Sequence, residues 1–324
     1  MTETAIYRSI SQMEPLLPPG TDSGLADLSI DVIRRSAALS TSLHPLTRQA
    51  VIELVRSMNS YYSNLIEGHN THPVDIERAL EKNYSHDPAM RAMQMESAAH
   101  IEVQRLIEAK LQKNPEADIC EQDFLCWVHS EFYARLPEEF CHVQTADGIA
   151  KQVIPGELRR DEVTVGRHIA PAFETLPAFL SRFQAAYSPS QLNSVNKVIA
   201  AAASHHRLAW IHPFLDGNGR VTRLFTHAYL IKAQIDGHGL WTVSRGFARN
   251  RDGYLTALSG ADAHRQGDMD GRGNLSNRGL VRFCTFFLET ALDQIDFMTG
   301  LLDLDGLQKR IAGYVERQAS LGEP

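Results

Sequence analysis

From residue 45 onward, apolar residues recur mostly at intervals of three and four, the period of a helix that buries one face. In "PLTRQAVIELVRSMNSYYSNLIEG", Leu46, Ala50, Leu54, Met58, Tyr61 and Leu65 keep this spacing, and Gly68 supplies a stop, so the pattern predicts one long helix ending in "SNLIEGHN". Helical periodicity continues in "PVDIERALEKN", "DPAMRAMQMESAAHIEVQRLIEAKLQ" and "EQDFLCWVHSEFYARL", and again in "AFETLPAFLSRFQAAY" and "LNSVNKVIAAAASHHRLAWIHP". One segment departs from it. In "GIAKQVIPGELRRDEVTVGRHIAP", Val163, Thr164, Val165 and Ile169 stand among Gly156, Gly166 and Pro171, which predicts a short hairpin.

Upstream, Pro15, Pro18, Pro19 and Gly20 punctuate an irregular lead-in before a short helical stretch, "GLADLSIDVIRRSAALSTSL". Downstream, "VTRLFTHAYLIKAQI" is apolar enough for a core helix. Gly237 and Gly239 break the chain, "GFARNRDGYLTALSGADAHR" starts another segment, and a glycine-rich loop precedes a last helix in "LVRFCTFFLETALDQIDFMTGLL". The predicted fold is mainly α, a compact helical bundle with one β-hairpin and a helical N-terminal extension.

Composition narrows the functional classes. The chain has 324 residues, 43% hydrophobic and 22% charged, with a net charge of −7, which argues against a polyanion such as nucleic acid as main partner. No uncharged apolar run approaches the length of a membrane span, and no basic start leads into an apolar stretch, so a soluble, cytoplasmic protein is expected. The four cysteines form no CxxC pair and read as reduced, mostly buried thiols.

Chemistry concentrates in "IHPFLDGNGRVTR", residues 211 to 223. Pro213 should end the incoming helix, "DGNG" is turn chemistry, and a helix resumes at Arg220. Such a loop offers backbone N–H groups and the positive end of the next helix dipole, with Gly217 and Gly219 free to let an anion approach. Arg220 and Arg223, three apart, can fork onto phosphate oxygens; Asp216 is a hard ligand suited to Mg²⁺; His212 can accept a proton near neutrality. Base, metal ligand, anion nest and cationic clamp together describe phosphoryl or nucleotidyl transfer.

The segment resembles the signature of the Fic family, HxFx(D/E)GNGRxxR, matching at His212, Phe214, Asp216, Gly217, Asn218, Gly219, Arg220 and Arg223. The resemblance implies a Fic-type helical bundle that transfers AMP from ATP to a Ser, Thr or Tyr hydroxyl of a target protein and of itself. By that carry-over His212 is the base and Asp216 holds Mg²⁺ on the α- and β-phosphates. Asn218 and the glycine loop hold the α-phosphate, and Arg220 and Arg223 grip the outer phosphates. The hairpin around Val163, Thr164 and Val165 resembles the family's flap, which pairs with an extended segment of the target.

"SNLIEG" resembles the family's inhibitory helix, [S/T]xxxE[G/N], at Ser63, Glu67 and Gly68. Glu67 is then expected to pair with Arg223 and occupy the clamp for the γ-phosphate. The expected organisation is an N-terminal helical region over 1–110 carrying that helix at about 45–67, and a Fic core over 111–302 with its flap at about 154–171. A polar tail follows over 303–324. Two rival readings stay open: removal of AMP from modified proteins with Glu67 positioning a water, and a nucleotide-sensing module that transfers nothing. Assembly into a homo-oligomer is left open as well. His205 and His206 carry no carboxylate spacing that would support a metal, and "HRQGDMDGRGN" reads as a loop rather than a calcium site.

Overall fold

A computed structural model describes residues 6–20, 22–144, 148 and 150–303, with isolated positions 306, 313 and 317. Eleven α-helices run through these residues: α1 Ser23–Ser40, α2 Pro45–Ile66, α3 Pro73–Leu80, α4 Pro88–Lys113, α5 Gln122–Tyr133, α6 Leu176–Tyr187, α7 Ser194–Ile211, α8 Asn218–Lys232, α9 Ser244–Arg249, α10 Arg251–Ala261 and α11 Asn277–Leu302. The polar tail expected over 303–324 lies almost wholly outside the described residues.

The bundle is built around α7. Its run Ala200, Ala201, Ala202 and Ala203 is fully buried, and small side chains let α1, α6, α8 and α11 all pack on one helix. Asn193 caps its start by accepting the Asn196 N–H at 2.9 Å. Its end is abrupt, because His212 takes the left-handed conformation and Pro213 cannot continue the ladder. Helix α8 then starts from Gly217, which is also left-handed.

Two antiparallel ribbons are present where one hairpin was expected. Thr164–Val165 (β3) pairs with His168–Ile169 (β4) across Gly166, the expected hairpin. The other, His142–Gln144 (β1) with Ala150–Gln152 (β2), was missed. Its strands are three residues long and carry only one apolar inward position between them, Val143, so they give no period to read.

The lead-in is irregular but part of the core. Tyr7, Met13 and Leu16 are buried, Tyr7 packs on Trp210 with ring centroids 4.8 Å apart, and Arg207 donates to the Pro15 carbonyl at 2.7 Å.

Helix α2 inverts the usual arrangement. The apolar stripe that revealed it faces outward, with Leu46 81% and Leu54 58% exposed. The buried face is mostly polar: Arg56, Asn59, Ser60, Ser63 and Asn64, with Val55 and Ile66 as its apolar members. Each polar residue finds a partner in a neighbouring helix or loop. Asn59 donates to Gln104 at 2.7 Å and accepts from Thr242 at 2.7 Å, Ser60 donates to the Ser97 carbonyl at 2.9 Å, and Asn64 donates to Ser97 Oγ at 2.9 Å. Docking of α2 therefore combines an apolar contribution from Val55 and Ile66 with many hydrogen bonds and ion pairs, and the polar part costs less to exchange with water than an apolar seam of the same length.

Candidate active site

Residues 211 to 223 form a helix–loop–helix turn whose shape depends on a few contacts. Asn218 braces it from inside: its Oδ1 accepts the Phe214 N–H at 2.9 Å and its Nδ2 donates to the Phe214 carbonyl at 2.8 Å. Gly217 is required, since its φ is +75° and a Cβ there would lie 2.7 Å from the Tyr133 ring. The first amides of α8 are thereby left at an open helix N-terminus, where an anion is stabilised.

His212 sits at the mouth of this turn with φ 50° and ψ 60°. Its Nδ1 lies 3.4 Å from the Ala209 carbonyl, which can only accept, so Nδ1 carries the proton and Nε2 keeps its lone pair. Burial pushes the imidazole down to about 4, with Arg159 and His168 adding to the fall against the Ala209 and Asp216 contributions. The ring is a neutral base across the physiological range.

Sequence reasoning missed Arg159, which is 3% exposed. Its side chain donates to the carbonyls of His212 at 2.8 Å, Asp161 at 2.8 Å and Pro171 at 2.5 Å, and its own N–H donates to the Pro213 carbonyl at 2.9 Å. Burial pulls its pKa down to about 10. One buried cation thus ties the hairpin to the backbone of His212. No periodicity or motif marks it, and its run "LRRDE" reads as solvated charge.

Asp216 is half-buried and accepts from the Tyr133 hydroxyl at 2.6 Å through Oδ2. Its carbonyl accepts from His129 Nε2 at 3.3 Å, while His129 Nδ1 takes the Gly156 N–H at 2.8 Å, which fixes that tautomer. Burial drives the Tyr133 phenol well above its ordinary range, Asp216 adding to it, so the hydroxyl remains a donor. Tyr133 and His129 were also invisible in the sequence; both lie on α5 and act on the loop from 83 and 87 residues away.

Both motif arginines are buried and engaged. Arg223 donates Nε to Ser63 Oγ at 2.8 Å and Nη2 to the Ser63 carbonyl at 3.1 Å and to Glu67 Oε1 at 2.5 Å. Glu67 is the residue that ends α2, and its side chain keeps 34% exposure. Burial is the largest influence and opposes its ionisation, but Arg223, Arg220 and His69 together hold the carboxyl below its ordinary value. Glu67 Oε1 also lies so close to Gly219 that a Cβ there would overlap it. A carboxylate therefore already rests on the N-terminus of α8. Arg220 is paired separately, donating to Glu96 of α4 at 3.0 Å.

Residues 119–230 match the model of the Fic/DOC family. This stretch of the chain resembles a Fic domain. Among curated proteins it is 44% identical over 78 residues to the protein adenylyltransferase Fic of Drosophila mojavensis and 42% identical over 78 residues to that of Drosophila grimshawi, in each case over 24% of this chain and 16% of the relative. The chain thus spans about a sixth of the length of these relatives. Among solved structures it resembles Fic-1 from C. elegans, with a TM-score of 0.63, 15% identity and coverage of 89% of this chain and 79% of that one. A Fic family protein from Desulfovibrio desulfuricans G20 gives 0.61 at 15% identity, over 85% and 74%. At such identities the likeness is one of fold.

The hairpin of Val163, Thr164 and Val165 stands beside the turn. The Ala170 N–H donates to the Val163 carbonyl at 3.1 Å, and Val165 is 45% exposed. Between this hairpin, α7 and α10 lies a cavity of about 800 Å³, lined by Val165, Ile169, Ala209, Trp210, Leu258 and Asp262 among others. His205 and His206 are spent in the core: His205 bonds Thr226 and Tyr254, and His206 contacts the carboxylate of Asp262 at 3.0 Å. Asp270, in the glycine-rich loop, is consumed by the backbone N–H groups of Gln266 and Arg278. No described helix is long and apolar enough to cross a membrane.

Proposed function

We propose that this chain transfers AMP from ATP to a hydroxyl of a target protein, and to itself, and that Glu67 restrains it. The observation that carries this reading is the seat of the Glu67 carboxylate, on Arg223 and against Gly219 at the N-terminus of α8. Arginine forks and helix N-termini bind phosphate for the same reasons that they bind this carboxylate. Glu67 thus occupies a phosphate position.

The roles proposed for each residue draw on the geometry. His212 Nε2, unprotonated and open, accepts the proton of the incoming hydroxyl. Its depressed pKa makes it a weak base in the nucleotide-free chain, and the negative charge of bound phosphates raises it toward its working range. Backbone amides of α8 receive the α-phosphate, with Asn218 holding the loop that presents them. Arg220 and Arg223 take the outer phosphates once their carboxylate partners give way. The nucleoside end has room in the cavity behind the hairpin, and the exposed edge at Val165 offers main-chain groups to an extended target segment.

Mg²⁺ fits the donor set in one way. Among the described residues no group of three His, Cys, Asp or Glu could hold a metal by itself, but Asp216 places one carboxylate within the turn, with one oxygen bonded to Tyr133, and Mg²⁺ typically takes one or two carboxylates plus substrate phosphates. Asp216 would hold the ion on the nucleotide, where it neutralises charge on the phosphates.

A second reading has one observation in its favour. Glu67 is held ionised and partly open to water, so the same carboxylate could activate a water toward an AMP-modified side chain. Intact-mass spectrometry after incubation with each nucleoside triphosphate and Mg²⁺ tests the main reading: an added AMP with ATP supports it, and an added phosphoryl group or no adduct in any mixture overturns it. Incubation with an AMP-modified protein separates addition from removal.

A further inference from the structure

Glu96 projects from α4 between two charged side chains that belong to different parts of the machinery. Its Oε1 accepts from Arg220 Nη2 at 3.0 Å, and its Oε2 lies 2.6 Å from His69 Nδ1. His69 immediately follows the Glu67–Gly68 end of α2, and its own N–H closes that helix on the Asn64 carbonyl at 2.9 Å. Glu96 is 9% exposed and flanked along α4 by buried Gln94 and Ser97, so it is fixed to the core.

We propose that Glu96 is the anchor of a second latch on the inhibitory segment: it binds His69 of that segment with one oxygen and Arg220 of the motif with the other, and the latch loosens as pH rises through neutrality. This rests on the reading of Glu67 as the restraint, and adds a residue and a pH dependence to it.

Three features support the latch. First, His69 lies in the turn directly after Glu67, so any undocking that moves this turn also breaks the His69–Glu96 contact. Second, Arg220 is held at a single nitrogen while its buried Nε has no partner, unlike Arg223, which uses Nε and Nη2. A guanidinium so incompletely satisfied is one an incoming phosphate can recruit. Third, the charges around His69 favour its protonated form in the docked arrangement. The hydrogen bond that it donates to Glu96 raises it above its ordinary value, against burial and Arg220 on α8, with Glu67 assisting from its own segment.

The sign follows by linkage. A histidine whose pKa is higher docked than undocked favours docking when protonated, and this contribution is lost as pH rises through the docked value. Restraint is therefore strongest below about pH 6.5 and weaker toward pH 8.

The test has two readouts, one independent of transfer. Hydrogen–deuterium exchange across residues 61–70, corrected for intrinsic rates, should show protection falling roughly three- to tenfold between pH 6 and 8 in the wild-type chain. In His69→Gln it should be low and flat across that range. The ratio of AMP transfer by Glu67→Gly to that by wild type should fall over the same window, and His69→Gln should raise basal transfer and flatten the ratio. Glu96→Gln should do likewise; because it leaves the buried Arg220 cation uncompensated, it is read only alongside its melting temperature. Protection that does not change with pH in wild type, or that changes equally in His69→Gln, overturns the latch. If Glu67→Gly transfers no AMP, the transferase reading fails, while the exchange measurement still decides the latch.

Discussion

Arg159 donates its Nε–H to the carbonyl oxygen of His212 at 2.8 Å, and so fixes the backbone of a residue held in the left-handed conformation. For a residue other than glycine that conformation costs about 1 to 2 kcal/mol, and a contact that over-determines it is needed for it to persist. The strain aims the imidazole out of the end of α7 instead of along it.

Arg159→Ala should therefore lower kcat for AMP transfer by about tenfold or more while nucleotide affinity changes little, since misplacement of a reacting group by about 1 Å can cost on the order of 100-fold. Calorimetry with ATP and a transfer assay on the same preparation check this. Arg159→Lys should recover part of the rate by restoring one donor. A variant with a lowered melting temperature and an unaltered kcat would reduce Arg159 to a scaffold residue.

Tyr133 orients Asp216 by donating to one of its oxygens, and removing such an outer hydrogen bond from a metal-binding carboxylate commonly costs about 10- to 100-fold in metal affinity. Tyr133→Phe is expected to raise the Mg²⁺ concentration for half-maximal transfer by about tenfold with little change at saturating Mg²⁺. Asp216→Ala should abolish Mg²⁺-dependent transfer. A Mg²⁺ titration of each variant measures both, and an unchanged titration for Asp216→Ala would remove it as the ligand.

The pH dependence of the chemistry and of the latch fall in different ranges. Burial places the His212 imidazole at about 4, so the base is unprotonated above that value and becomes protonated below it. In the Glu67→Gly variant, free of the restraint, kcat/KM should stay level from pH 8 down to about 5 and fall toward pH 4. His212→Ala should abolish transfer and leave ATP binding near wild type, because the ring acts on the hydroxyl. An acid limb centred near 6.5 would mean that the base in the free enzyme is not His212 in this environment.

What the sequence could reveal followed physical range. Contacts between near neighbours leave a pattern, and so the helices, the Gly166 hairpin and the turn of 211 to 223 were legible. Glu67 opposite Arg223 was reached only through family resemblance, because nothing local links residues 156 apart. Arg159, Tyr133 and Glu96 were not reached at all. Each is a polar side chain buried by tertiary structure, and in sequence such a residue looks the same as one on a solvated face. Helix α2 shows the converse: its apolar period correctly indicated a helix, yet most of the buried face is polar, with only Val55 and Ile66 apolar, because much of what it packs against is itself polar.

The restraint proposed for Glu67 makes the sharpest prediction. The carboxylate is held directly by Arg223 at 2.5 Å, Ser63 steadies Arg223 through its hydroxyl and carbonyl, and Gly219 leaves space for it at the start of α8. Glu67→Gly should vacate the phosphate position, leave the N-terminus of α8 and the Arg223 fork to the nucleotide, and raise AMP transfer, including onto the chain itself. The gain should appear in kcat more than in ATP affinity, because ATP bound in a non-productive pose already makes much of its contact elsewhere. Ser63→Ala should give a smaller gain in the same direction, since it removes one of three bonds that hold Arg223 toward α2 and leaves the ion pair. Arg223→Ala added to Glu67→Gly should cancel the increase, as the clamp that was released is then absent. Labelled-AMP incorporation by wild type, the two single variants and the double variant, at equal folded concentration, measures this series. A rate in Glu67→Gly no higher than wild type would falsify the restraint, and a gain that survives loss of Arg223 would place the action of Glu67 on the amides of α8 alone.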